Sequence, residues 1–183
     1  FLAGSLKKGG YNQRMSVPKI SVYSIKSLFR ALSHPPSLRA KRLGPNLREK
    51  IILRVSSINQ CNVCSVFHEN LARWEGLSRQ DIAEARNPDS DDEQDGDTRL
   101  LFHYAEIRTS NLEKEFPEVV QAFEQAFDEA TQREVRAIVD LFTFNNRFNN
   151  SWEGWLPGAK RRRQSMGLTG PRVDHTQRTS AKP

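Results

Sequence analysis

The sequence predicts an all-α protein. Apolar residues recur at helical spacing through most of residues 16–157, helix-opening cap sequences precede several of these runs, and only Ile20–Tyr23 hints at a strand. The first helix carries Ile25, Leu28, Phe29 and Leu32, and His34-Pro35-Pro36 stops it, with His34 as a turn residue. Asn46, with Glu49 at its N3 position, is expected to open the second, whose apolar face is Leu47, Ile51, Ile52, Val55 and Ile58. Asn59 is expected to cap a third helix from about Gln60 to Glu75, with Val63, Phe67, Leu71 and Trp74 as its apolar positions and Gly76 just past its end. Ser78, with Asp81 three residues on, opens a short helix ending near Arg86. Thr98 is expected to cap the next, with Leu101, Tyr104, Ala105 and Ile107 inward and His103 in a packing role. Phe116 to Phe127 is amphipathic, with Pro117 in its first turn. Thr131 and Glu134 form a capping box before Val135, Ile138, Val139 and Phe142. Trp152 and Trp155, beyond that helix, are expected to fold back onto a neighbouring element.

At 183 residues the chain suits one domain. Mean hydropathy is −0.68, and no run approaches the roughly 20 apolar residues that span a bilayer. The net charge of +6 and pI of 9.6 suggest a polyanion partner until the charge is located. Residues 158–183 hold seven Lys or Arg against Asp174 alone, and residues 1–14 add Lys7, Lys8 and Arg14 with no acid. The middle of the chain is therefore slightly acidic, and nucleic-acid binding by the domain is not expected. Residues 1–15 read as a flexible arm, 16–157 as the helical domain, and 158–183 as a disordered basic tail with too few apolar residues to offset ordering. Within that tail, Lys160 and Arg161 to Arg163 read as a solvated run. Residues 87–97 read as a solvated acidic loop. No export signal follows Phe1, so a cytoplasmic location is expected.

The two cysteines, Cys61 and Cys64, form a CxxC pair, which in such a chain points to thiol chemistry or metal. At the start of a helix, unpaired N–H groups and the helix dipole favour a thiolate. His68, four residues after Cys64, shares its helical face and could take a thiol proton. If the second and third helices pack antiparallel, Glu49 could face His68 and supply a proton path. The bland alternatives are two small buried side chains for the cysteines, a cap for Glu49 and a packed histidine for His68. Zinc would need a fourth ligand from His103, Glu49 or a partner subunit, so neither a metal nor another cofactor is expected.

The run from Leu47 to His68, LREKIILRVSSINQCNVCSVFH, resembles the core motif of the carboxymuconolactone decarboxylase superfamily. Within it, the resemblance is to the alkylhydroperoxidase D-like branch, whose pattern is a Glu, a first Cys twelve positions on, CxxC, and a His four after the second Cys. The likeness covers about residues 25–155 and includes Leu101 to Ala105 and the closing segment Thr131 to Asn149. One departure is Val63, where the best-known hydroperoxidase form has His; the basic tail is another. The resemblance implies a helical fold assembled as a homotrimer or hexamer, with the site in a pocket near the subunit interface. It implies peroxidase or disulfide oxidoreductase chemistry on a hydroperoxide, with an external thiol or dithiol reductant. Cys61 and Cys64 would be the redox pair, and His68 with Glu49 the proton relay. The helix dipole favours Cys61 as the attacking sulfur and the His68 spacing favours Cys64. A decarboxylase-type lyase, which needs no cysteine pair, and a non-catalytic oligomeric interaction protein are the alternatives.

Overall fold

The structure is a computed structural model that describes residues 19–33, 42–88 and 94–152. These residues form seven helices and no strand: α1 (Val22–Leu32), α2 (Gly44–Ile58), α3 (Asn62–Trp74), α4 (Arg79–Arg86), α5 (Gly96–Ser110), α6 (Pro117–Ala126) and α7 (Glu129–Trp152). The all-α class is therefore the class observed. Helix α2 is the central element. Its apolar residues from Ile51 to Val55 are buried, and it packs against α3, α4, α5 and α7. Helix α1 lies along α7, and α6 closes over α5 and α7. There, Tyr104 and Phe123 stack with ring centroids 3.8 Å apart.

Two buried arginines tie these layers together. Arg54 of α2 donates to Glu106 Oε1 at 2.7 Å and to the carbonyls of Ala85 and Glu84 at the end of α4. A buried guanidinium is tolerable because a carboxylate and helix C-terminal oxygens surround it. Arg108 of α5 bonds Asp140 of α7 and Glu113, both at 2.6 Å, and Asp140 also accepts from Arg30 of α1. The Tyr23 hydroxyl donates to the Arg108 carbonyl, and burial raises its pKa above the ordinary tyrosine value.

Several elements start where the sequence reading does not put them. Helix α2 begins at Gly44, with φ +68, and Pro45 lies in its first turn, so Asn46 is not its cap and Glu49 is not at N3. Asp95, not Thr98, caps α5, its carboxylate accepting from the Thr98 N–H at 2.9 Å. Asp128 accepts from the Thr131 N–H at 2.7 Å, so α7 starts two residues before Thr131, and Glu134 instead bonds Arg48 and the Arg42 amide. At α5 and α7 an aspartate three residues upstream satisfies the same unpaired N–H groups, whereas α2 starts without a side-chain cap. The Ile20–Tyr23 run leads into the first turn of α1, whose cap is Ser21. Trp152 is the last residue of α7 and not part of a returning segment; its ring lies 6.0 Å from that of Phe148. Ser78 and Asp81 form the expected capping box on α4.

The buried faces of two helices are not the ones their large apolar residues mark. In α1 the buried residues are Ser24, Ser27 and Ala31, while Phe29 is 67 % exposed and Ile25 and Leu32 also face outward. In α3, Phe67 and Trp74 are exposed, Trp74 by 82 %, and the buried residues are Cys64, Ser65, His68 and Ala72. Small side chains allow α1 to lie close on α7. The inward face of α3 belongs to its polar and sulfur-bearing residues. The arm 1–15, the tail 158–183, His34 and Trp155 lie outside the described residues, as do residues 89–93 of the acidic loop.

Candidate active site

The site is built on the reversal between α2 and α3. Helix α2 ends in a Schellman arrangement: the Cys61 N–H reaches the Ser56 carbonyl and the Gln60 N–H the Ser57 carbonyl, both at 3.0 Å. Gln60 adopts φ +52, the left-handed conformation this ending needs and glycine more commonly supplies. Asn59 is therefore the C-cap of α2 and not the cap of α3. Its side chain is buried, donating to the Val55 carbonyl and accepting from Arg147. Cys61 caps α3 instead, its Sγ accepting from the Cys64 N–H at 3.4 Å. A sulfur at this position meets the unpaired donors and positive end of the helix.

Cys61 and Cys64 are joined as a disulfide, with Cα atoms 5.3 Å apart, and are 1 % and 4 % exposed. One turn further along α3, His68 is buried, and its Nδ1 lies 2.8 Å from Glu49 Oε2. The antiparallel packing of α2 against α3 brings Glu49, 19 residues away in sequence, to this point. The Glu49 carboxylate is placed to accept a hydrogen bond from Nδ1. The imidazole is fixed from two sides by edge-on rings, Phe67 at 5.3 Å and Phe142 of α7 at 5.0 Å. A buried carboxylate–imidazole pair one turn from a cysteine pair can hold and move a proton beside sulfur.

All four residues singled out in the sequence thus come together, although Glu49 arrives from mid-helix and not from a cap. His103 is buried on α5. Among the described residues no group of three or more His, Cys, Asp or Glu side chains is placed to hold a metal ion. Sequence reasoning did not single out Asn149, whose Nδ2 lies 3.3 Å from Cys64 Sγ. A signal was present: Asn145, Asn146, Asn149 and Asn150 crowd one stretch of α7, and asparagine is a poor helix former.

The described residues thus set a CxxC disulfide one helical turn from a buried Glu–His pair. Residues 36–106 match the family model of the carboxymuconolactone decarboxylase family. The matched segment contains Glu49, Cys61, Cys64 and His68 and runs from before α2 into α5. No curated protein and no solved structure matches the chain.

Proposed function

We propose that the protein is a thiol-dependent peroxidase or disulfide oxidoreductase of the alkylhydroperoxidase D-like type. The observation that carries this reading is the buried Glu49–His68 pair on the inward face of α3 that also bears Cys64. In the reduced protein one cysteine, as thiolate, attacks the distal peroxide oxygen. The O–O bond breaks, the sulfur becomes a sulfenic acid, and the alcohol leaves with a proton relayed through His68. The second thiol then displaces water from the sulfenic acid and closes the Cys61–Cys64 disulfide. An external dithiol returns the pair to the reduced state and is itself oxidised. No bound cofactor is needed.

The resemblance further suggests assembly as a homotrimer or hexamer. In support, α1 turns Val22, Ile25, Phe29 and Leu32 outward at helical spacing, a face a second copy of the chain would cover. A reducing compartment such as the cytoplasm would suit regeneration by a dithiol. No helix among the described residues is long and apolar enough to cross a membrane.

The test is a stopped-flow peroxide titration of the fully reduced protein, with free thiols counted before and after and the product located by mass spectrometry. Loss of two thiols per chain, recovered with dithiothreitol, is the expected result. Thiols that survive excess peroxide would reject the reading. Decarboxylation of a lactone acid, unaffected by Cys61→Ser and Cys64→Ser, would then establish the lyase alternative that the family's name suggests.

A further inference from the structure

The closing stretch of α7 is unusual for a helix. Four of the six residues 145–150 are asparagine, and Arg147 stands among them. Low helix propensity in mid-helix calls for a compensating role. The polar side chains supply it by gripping the end of α2 and the loop that carries the cysteines. Asn146 Nδ2 donates to Ser56 Oγ at 3.2 Å, Arg147 Nε to Asn59 Oδ1 at 2.9 Å, and Asn150 Nδ2 to the Asn59 carbonyl at 2.7 Å. These bonds set the register of α7 against the loop. Asn149, held between Arg147 and Asn150, then points its amide at Cys64 Sγ, 3.3 Å away.

We propose that Asn149 tunes the redox pair by donating a hydrogen bond to the Cys64 sulfur that strengthens when the disulfide is reduced. This rests on the reading of Cys61 and Cys64 as a pair that cycles. A disulfide sulfur is a weak acceptor, whereas a thiolate is charged and accepts strongly. The bond therefore stabilises the reduced state more than the oxidised one. Reduction by an external dithiol breaks the S–S bond, transfers two electrons to the pair and oxidises the reductant to its own disulfide. When the reductant's sulfur bonds to Cys61, Cys64 leaves as the thiolate, and the Asn149 amide meets the charge as it forms. A better-stabilised leaving thiolate departs faster. Asn149 thus acts on the regeneration half of the cycle, a task distinct from the proton relay of His68 and Glu49.

The test compares full-length wild type with Asn149→Leu and Asn149→Asp. Asn145→Leu, the same change one turn earlier on α7, serves as control. Each is equilibrated in dithiothreitol redox buffers, and the fraction of disulfide is read by thiol labelling. Cys64 alkylation at neutral pH is followed in a Cys61→Ser background. Asn149→Leu is expected to shift the equilibrium about tenfold toward the disulfide, about 30 mV for this two-electron couple, and to slow Cys64 alkylation by about threefold to tenfold. Asn149→Asp, which sets a carboxylate against the developing thiolate, should shift both further in the same direction, and Asn145→Leu should shift neither. Unchanged equilibrium and alkylation in both Asn149 variants would overturn the proposal, as would an equal shift in Asn145→Leu. Neither readout uses peroxide. Failure of peroxide turnover in wild type would therefore remove the peroxidase reading while leaving these thiol measurements to decide the role of Asn149.

Discussion

At the scale of single residues, the proposed chemistry rests on the Cys61–Cys64 disulfide and the Glu49–His68 hydrogen bond. Cys61→Ser and Cys64→Ser should each abolish peroxide turnover, because one sulfur must be oxidised and the other must close the disulfide; a coupled peroxide assay reads this directly. His68→Ala should slow turnover by about 10²–10⁴-fold, the range typical of a general acid–base group. Glu49→Gln should also slow it, by less than the loss of the ring. The amide can still bond His68 Nδ1, but it lacks the carboxylate's charge. A Glu49→Gln rate equal to wild type would assign the carboxylate to structure alone. These four residues were legible in the sequence because their spacing is local to two adjacent helices. Asn149 was not, because it lies 85 residues from Cys64 and only the packing of α7 joins them.

At the scale of elements, the caps decide where helices begin, and their electrostatics give a pH-dependent prediction. The Lys50 ammonium and the Ser78 hydroxyl and amide hold the Asp81 carboxyl at about 2, below its ordinary 3.8. A carboxyl whose pKa is lowered by folding stabilises the native state fully above its unfolded value. That contribution fades as pH falls through the folded value. The melting temperature of Asp81→Asn should therefore lie below wild type at neutral pH, and the gap should close between about pH 4 and pH 2. A gap independent of pH would mean that the carboxylate's charge contributes nothing. Element existence was readable from periodicity and capping chemistry. Exact starts were less so, because several residues near each start can satisfy the same N–H groups. Asp95 and Asp128 each sit three residues before the cap expected from the sequence, and their carboxylates accept from those residues' own amides.

At the scale of the whole molecule, buried ion pairs join helices that apolar packing alone would leave free to slide. Glu106→Leu would strand the fully buried Arg54 guanidinium without its carboxylate, and should cost about 3–5 kcal/mol in urea unfolding. The outward apolar face of α1 carries the prediction on assembly. Sedimentation of wild type should show a species larger than one chain, and Phe29→Asp should shift it toward the monomer without loss of helical signal. A monomeric wild type would remove the oligomer from the proposal. The helical spacing of Ile25, Phe29 and Leu32 was legible in the sequence, but apolar periodicity marks one face of a helix without saying what covers it.

What the sequence determined by itself was the helical class, most of the element order, and Glu49, Cys61, Cys64 and His68 as candidate residues. Helical periodicity, capping and i,i+4 geometry are properties of nearby residues. What only the tertiary structure decided was which helix faces are buried, that Glu49 reaches His68, and that Asn149 reaches Cys64. Those contacts depend on how α2, α3 and α7 pack. That packing is set by close approach of small residues and by buried polar pairs far apart in sequence, which no local pattern encodes.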